Sequence, residues 1–120
     1  MSYDANNIFA KILRGEIPCA KVYEDDFALA FNDINPKAPV HVLVIPKGPY
    51  ARHDDFISSA SAEEIAGFEK AINHVVQKTE IDGTGYRLIA NNGANAHQEV
   101  AHYHVHVLGG QALGPLVQGK

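Results

Sequence analysis

The chain has 120 residues, of which 46% are hydrophobic and 20% are charged, a composition typical of one folded domain and unlike that of a disordered or collagen-like chain. Its formal net charge of −4 argues against a general nucleic-acid binder, because Lys and Arg supply most contacts to phosphate backbones. A single nucleotide is still compatible with this charge.

The cysteine content and the apolar runs indicate the expected compartment. Cys19 is the only cysteine, which excludes an internal disulfide and a CxxC zinc site and favours a reducing, cytoplasmic setting. No apolar run reaches transmembrane length and the first residues lack the pattern of a signal peptide, so we expect no membrane partner. We predict a single domain over residues 1–120, structured from about Asn6 to about Leu116, with loose ends.

The first half of the chain predicts a short helix followed by three strands. Apolar residues on one face predict a helix over residues 8–14, which Gly15 ends. Residues 20–24 and 27–31 predict two strands that form a hairpin around an Asp-Asp turn. A loop with two prolines follows, and the apolar run 41–45 predicts a third, buried strand.

The second half predicts one long helix and two more strands. Ser61 and Glu64 have the spacing of a capping box, and an apolar stripe continues from there to about Thr79. Residues 86–90 and 100–108 predict the fourth and fifth strands. Strands outnumber helices and several connections are short enough for antiparallel neighbours, so the predicted fold class is α+β.

The predicted fifth strand carries a histidine at every second position. These residues are His102, His104 and His106. Because side chains alternate between the two faces of a strand, the three imidazoles share one face at a spacing of about 6.6 Å, and the apolar residues between them face the core. One side of this strand is therefore a candidate site.

Three interpretations of this histidine pattern compete. The first is an exposed sheet face without function, and the second is a zinc site, because imidazole is the commonest zinc ligand. A span of about 13 Å along one flat strand makes it difficult for all three to bind one ion. The third is nucleophilic catalysis, in which a neutral imidazole attacks phosphorus while its neighbours fix the tautomer and neutralise oxygen charge.

The pattern His-x-His-x-His followed by two apolar residues, complete here over residues 102–108, resembles the mark of the histidine triad family. Other segments follow the order and spacing of the same family: residues 8–12, 16–18, 30–34, 38–39, 41–47, 91–93 and 108–110. Within the family the chain is similar to the Hint branch, the purine nucleoside phosphoramidases, and it looks more like a bacterial member. The resemblance implies a five-stranded antiparallel sheet with two helices, continued across a homodimer.

The resemblance also implies roles for the histidines. His104 would be the nucleophile that takes a nucleoside monophosphoryl group, and His106 would contact the phosphate. His102 would support a proton network together with His41. Taken alone, His41 is equally well explained as a buried strand histidine with satisfied hydrogen bonds.

For the substrate, the resemblance assigns Asp33 to the ribose hydroxyls and Asn91 to the phosphate. The base pocket would be lined by Ile8, Phe9, Phe31 and Ile34. Ordinary core packing explains the first three of these equally well, and Asp33 could simply close a turn. Gln98 and Glu99 complete the predicted substrate contacts.

The chain departs from many Hint proteins beside the triad and in the tail. His97 and Glu99 flank Gln98 where those proteins have Gly and Ser, so the usual hydroxyl is absent and these two residues are the candidate proton donors for a leaving amine. The tail over residues 111–116 lacks the Trp of the animal proteins. No Lys or Arg lies between Asn91 and Leu116, which predicts a preference of at least about tenfold for phosphoramidates over polyphosphates.

These observations predict a hydrolase that cleaves the P–N bond of adenosine or guanosine 5'-phosphoramidates, or related acyl adenylates, without a metal or other cofactor. The predicted intermediate is a covalent nucleotidyl-His104. A diadenosine polyphosphate hydrolase, a nucleotide-binding or partner-binding protein with incidental turnover, and a zinc-binding module are the alternatives.

Overall fold

Residues 3–116, the part of the chain described by this computed structural model, form one antiparallel sheet of five strands. The strands are β1 (Lys21–Glu24), β2 (Ala28–Asn32), β3 (Val40–Pro46), β4 (Tyr86–Ile89) and β5 (Val105–Gly109). Their spatial order is β1-β2-β3-β5-β4, so β3 and β5 lie side by side inside the sheet. The predicted α+β class and five-stranded antiparallel sheet are confirmed.

Helices cover both faces of this sheet. They are α1 (Ile8–Leu13), α2 (His53–Ser59) and α3 (Ala62–Lys78). The capping box predicted for α3 is present, since Ser61 accepts from the Glu64 amide and the Glu64 carboxylate accepts from the Ser61 amide. The sequence predicted two helices and missed α2, which has one buried residue, Phe56, and no side-chain cap.

The period of two along the strands divides the core into two clusters. On the α3 face, Val42, Val44, Val105 and Val107 pack with the buried stripe of the helix. On the opposite face the intervening strand residues pack with α1. This second cluster contains Phe9, Leu29, Phe31, Leu43 and Ile45. Side chains on the α1 face therefore build the site, while α3 anchors the sheet from behind.

The fifth strand begins at Val105 rather than at residue 100 as predicted. The β3–β5 register ends at the pair Val44 and Val105, and two further steps along it would reach Pro46, which has no amide proton to donate. The amide of Tyr103 instead donates to the carbonyl of Tyr50 at 2.7 Å. His102 and His104 consequently lie in an extended segment just before β5.

Within the described residues, none of the helices has the length and apolar character needed to cross a membrane.

Candidate active site

A cavity of about 630 Å³ opens on the α1 face of the sheet, a volume within the ~300–1,000 Å³ typical of small-molecule sites. Its lining comes from parts of the chain that are far apart in sequence. The predicted site residues that line it are Ile8, Phe9, Phe31, Asp33, Ile34, His41, Asn91, Glu99, His104 and His106. The fold therefore brings most of the predicted site into one concave surface.

His104 is held in one tautomer by the chain itself. Its Nδ1 lies 2.7 Å from the backbone oxygen of His102. Because a carbonyl oxygen can only accept, Nδ1 carries the proton and Nε2 keeps its lone pair. Phe9 packs edge-on against this imidazole at a centroid distance of 5.0 Å, which fixes the plane of the ring. The free nitrogen of His104 is therefore Nε2, and a neutral imidazole with a free nitrogen can act as a nucleophile.

His106 has the opposite arrangement, set by a relay through His41. The amide of Lys37 donates to Nδ1 of His41 at 3.0 Å, so the remaining proton of neutral His41 is on Nε2. That nitrogen lies 2.9 Å from Nδ1 of His106, which must accept. The proton of His106 is therefore on Nε2, and the ring centroids of His104 and His106 are 5.2 Å apart.

Burial keeps these imidazoles neutral. Desolvation lowers the pKa of His106 to about 4, with further lowering from the neighbouring His104 and His41. The pKa of His104 is also lowered by burial, against an opposing effect of its bond to the His102 carbonyl. Burial likewise lowers the pKa of His41 more than the nearby Asp33 raises it. All three are therefore uncharged at neutral pH, which leaves His104 with a lone pair that can attack an electrophile.

His102 lies behind the cavity wall rather than in it. Its side chain is 0% exposed, and its Nε2 donates to the carbonyl of Pro46 at 2.9 Å. Its Nδ1 is 2.5 Å from the hydroxyl of Tyr3. Burial lowers the pKa of His102 to about 4. With both ring nitrogens occupied, His102 supports the site through its backbone oxygen and its packing.

Asp33 closes a turn and also lines the cavity, so its interpretation as a turn residue is compatible with its interpretation as a substrate-binding residue. Its Oδ1 accepts from the amide of Asn35 at 2.8 Å. Its Oδ2 lies 3.4 Å from Nε2 of His41, and its side chain is 19% exposed. One carboxylate oxygen is thereby held by the loop and the other faces the polar end of the cavity.

The apolar end of the cavity is formed by Phe9 and Phe31, with Ile8 and Ile34 beside them. Phe9 and Phe31 are buried core residues and also line the cavity, with their rings edge-on at 5.6 Å. Ile8 is 46% exposed and Ile34 is 100% exposed at the mouth. An apolar slot with a solvent-facing lip suits a flat aromatic ring.

Residues 97–99 divide into structural and lining roles. The side-chain oxygen of Gln98 accepts from the Gly93 amide at 2.9 Å, and its amino group donates to the backbone oxygens of Ala51 and Val100. Gln98 is not among the lining residues; it fixes the loop with all its polar atoms. His97 is exposed and also outside the lining, whereas Glu99 lines the cavity. Glu99 is therefore the better placed of the two candidate proton donors.

Sequence reasoning missed several lining residues. They include Ile12, Ile17, Pro18, Cys19, Ala20, Lys37, Leu43, Ile89, Val100 and Leu108. Most are ordinary apolar residues without a local signal. Lys37 matters most, because it places a positively charged side chain at the cavity. It lies in a loop outside residues 91–116, and the predicted preference for phosphoramidates over polyphosphates was based on the absence of Lys and Arg from that range.

One group of side chains within the described residues has the spacing of a metal site. Ligating atoms of Asp33, His41 and His106 lie within 4.8 Å of one another. These atoms are already engaged with each other, since the His41–His106 pair is hydrogen-bonded at 2.9 Å. If the chain binds zinc, the ligands in this structure would be Asp33, His41 and His106 rather than the three triad histidines, because His102 and His104 are not in the group.

The chain is similar to known proteins over nearly its whole length. A family model described as the HIT domain matches residues 14–113. An uncharacterised HIT-like protein of Azospirillum brasilense is 53% identical over 116 residues, which cover 97% of this chain and 95% of that protein. The purine nucleoside phosphoramidase of Escherichia coli is 40% identical over 113 residues, 94% of each chain. A solved HIT family hydrolase from Clostridium thermocellum matches with a TM-score of 0.86 at 43% identity, covering 94% of this chain and 97% of that one.

Proposed function

Because the chain belongs to the histidine triad family, we propose that it is a hydrolase that cleaves the P–N bond of purine nucleoside 5'-phosphoramidates through a covalent intermediate on His104. The observation that carries this proposal is the bond from Nδ1 of His104 to the His102 carbonyl, which leaves a lone pair on Nε2 at the cavity. The name of the Escherichia coli relative, at 40% identity, supports the same reaction class.

In the first step, Nε2 of His104 attacks the phosphorus of the substrate. The new N–P bond forms as the bond to the amine breaks, and the amine leaves with the electron pair and takes up a proton. The imidazole becomes cationic, and its Nδ1–H bond to the His102 carbonyl stabilises that charge. Water then attacks the phosphorus and gives a proton to Glu99, the N–P bond breaks with its electron pair returning to Nε2 of His104, and the nucleoside monophosphate is released.

His106 acts on the phosphate oxygens, and His41 acts through His106. The Nε2–H of His106 donates to a non-bridging oxygen, and His41 holds it in that tautomer through the 2.9 Å bond. Asn91, also in the lining, supplies a side-chain amide near the same group. Charge that develops on phosphate is therefore met by fixed donors.

The nucleoside occupies the rest of the cavity. Oδ2 of Asp33 accepts hydrogen bonds from the ribose hydroxyls, while Oδ1 accepts from the Asn35 amide. Phe9 and Phe31 form the inner wall of the base pocket, with Ile8 and Ile34 at its lip. A carboxylate beside an apolar slot suits a ribonucleoside.

Glu99 donates the proton to the leaving amine. A free alkylamine has a pKa near about 10, so it must leave protonated. Glu99 lines the cavity from the loop that precedes the triad, and its side chain is exposed there. The same acid would assist hydrolysis of related acyl adenylates less, because their leaving group is less basic.

Two alternatives have specific support. Lys37 in the lining would favour a diadenosine polyphosphate, whose extra phosphates need positive charge. The group of Asp33, His41 and His106 would favour a zinc-binding module. Among the described residues, Lys37 is the one Lys or Arg in the lining, which is little positive charge for a long polyphosphate, and the existing His41–His106 bond satisfies the second group without an ion.

One panel of assays tests the proposal against these alternatives. We expect wild-type protein to turn over a fluorogenic adenosine phosphoramidate with kcat/KM at least about tenfold above that for diadenosine tetraphosphate. His104→Ala should abolish turnover and still bind AMP, because the pocket is intact. Exhaustive chelation should leave the rate unchanged.

Each contrary result identifies a different alternative. A faster reaction with the polyphosphate would favour that hydrolase, and loss of activity on chelation with recovery on added zinc would favour the zinc site. Near-normal kcat in His104→Ala would contradict the covalent mechanism. Tight AMP binding without turnover of either substrate would indicate a nucleotide-binding protein.

We also propose that the chain forms a homodimer through β4. This strand is at the edge of the sheet in the described residues, and it presents Tyr86 and Leu88 at 44% and 45% exposure. An edge strand with exposed large apolar side chains can pair with a second copy of itself.

A further inference from the structure

Tyr3, which precedes α1, ends a hydrogen-bonded path that reaches the nucleophile. Its hydroxyl lies 2.5 Å from Nδ1 of His102, and the two rings pack edge-on with centroids 5.6 Å apart. Nε2 of His102 donates to the carbonyl of Pro46, so Nδ1 carries the lone pair and the tyrosine hydroxyl is the donor. The direction of this bond is therefore fixed.

The same His102 supplies the carbonyl that sets the tautomer of His104. This backbone oxygen accepts from Nδ1 of His104 at 2.7 Å. Phe9 lies edge-on to both imidazoles, with centroid distances of 6.4 Å to His102 and 5.0 Å to His104. Because the three rings are packed together, a movement of the His102 ring displaces Phe9 and, through it, the His104 ring. Tyr3, His102 and His104 thus form one packed and hydrogen-bonded unit.

We propose that Tyr3 is a positioning residue: its hydroxyl holds the buried His102 ring in place and, through the His102 carbonyl and Phe9, keeps His104 in the Nδ1–H tautomer. This inference deepens the proposed function, because it rests on the role of His104 as the nucleophile. Tyr3 does not line the cavity that holds the substrate. It acts on the reaction through His102.

The hydroxyl, rather than the ring, carries this role. His102 is 0% exposed, so loss of the tyrosine donor leaves a buried acceptor without its partner. The ring can restore a partner only by rotation, which breaks its bond to Pro46 and shifts the residue whose carbonyl holds His104. Removal of one oxygen atom should therefore loosen the nucleophile while the pocket for the nucleotide stays intact.

Tyr3→Phe is the direct test, with Tyr23→Phe as the matched control. Tyr23 also loses a hydroxyl hydrogen bond, at 2.8 Å to Asp25, but it lies on β1, outside the cavity lining. Long-range proton–nitrogen NMR spectra report which nitrogen of each neutral histidine is protonated. In the wild-type protein we expect His102 protonated at Nε2 and His104 at Nδ1.

In Tyr3→Phe we expect a mixture of tautomers at His104, a kcat about tenfold lower for an adenosine phosphoramidate, and a Kd for AMP within about twofold of wild type. Tyr23→Phe should match the wild type in all three measurements. Wild-type kcat or unchanged His104 resonances in Tyr3→Phe would overturn the proposal, as would a wild-type His102 protonated at Nδ1.

The same experiment separates this inference from the proposed function. If the wild-type protein does not turn over the phosphoramidate, the proposed function fails, and the His104 spectra of Tyr3→Phe alone decide whether Tyr3 fixes the tautomer. If the wild type is active, His104→Ala is inactive and Tyr3→Phe is unaltered, the role of Tyr3 fails and the proposed function stands.

Discussion

His104 and His106 are two residues apart in the chain, and their hydrogen-bonding partners give them opposite roles at the cavity. The His102 carbonyl accepts a hydrogen bond from Nδ1–H of His104, whereas His41 donates to Nδ1 of His106. The alternation of the sequence predicted that the two share a face. It could not predict the tautomers, because the deciding partners, such as the Lys37 amide, are brought in by the fold.

Asp33→Asn tests the ribose contact. We expect kcat/KM to fall more for a ribonucleoside substrate than for its 2'-deoxy counterpart, because a hydrogen bond to a charged group contributes about 1.5–3 kcal/mol. The measurement is kcat/KM for the two sugars. Asp26→Asn, in the exposed β1–β2 turn, is the control. Equal losses for both sugars in Asp33→Asn would remove Asp33 from the ribose site.

Glu99→Gln tests the proton donor. The variant should slow an alkylamine leaving group by about tenfold or more, because general acid catalysis contributes at least that much, and should have a smaller effect on a phenolate. His97→Gln is the matched control, since His97 is adjacent to the same loop, exposed and outside the lining. If Glu99→Gln slows both leaving groups alike, Glu99 is not the donor.

At the scale of single elements, the strongly patterned segments were predictable and the weakly patterned ones were not. The capping box and apolar stripe placed α3 correctly, because its stability comes from one buried face. α2 has only Phe56 buried and gives no periodic signal. The start of β5 depends on Pro46 of a different strand, and no pattern within residues 100–108 reveals that.

The buried histidines around the start of β5 make stability depend on pH. His102 and His106 have pKa values of about 4 in the folded chain, below the ordinary value of 6.5, so between these pH values the unfolded chain takes up protons that the folded chain does not. The free energy of unfolding should therefore fall as the pH is lowered from 6.5 to 4, by at most about 3 kcal/mol for His102 and less for the half-buried His106.

Denaturant unfolding at a series of pH values checks this dependence. His106→Gln should flatten the curve between pH 6.5 and 4, because one of the shifted groups is gone. His74→Gln, on the exposed face of α3, should keep the wild-type slope. An unchanged slope in His106→Gln would show that this imidazole takes up its proton equally in both states.

For the whole molecule, the cavity is a product of topology. β3 and β5 are adjacent, and their register places His41 opposite Leu108 and His106 opposite Leu43, so the two histidines are diagonal neighbours. Asp33, directly after β2, lies at the polar end of the cavity, and Phe9, on α1, lies at its apolar end. Most of the site residues that the family resemblance predicted lie in the lining, but they are fewer than half of it, and Cys19, Ala20 and Lys37 are among the lining residues that were not predicted.

The proposed dimer is tested at the same scale. We expect light scattering to give the mass of two chains for the wild-type protein, and Leu88→Lys to dissociate it, because a charge on the edge strand opposes pairing. Ile57→Lys is a matched control, since Ile57 on α2 is 47% exposed, close to the 45% of Leu88. A monomeric wild type, or a dimeric Leu88→Lys, would contradict an interface at β4.

The covalent step on His104 is tested most directly by trapping the intermediate. Wild-type protein is mixed with an adenosine phosphoramidate, quenched with base during turnover, digested and analysed by mass spectrometry. The account predicts an adenylyl group on the peptide that contains His104, located on that residue by fragmentation and lost in His104→Ala. An adduct on His102 or His106, or turnover without an adduct on any histidine, would contradict it.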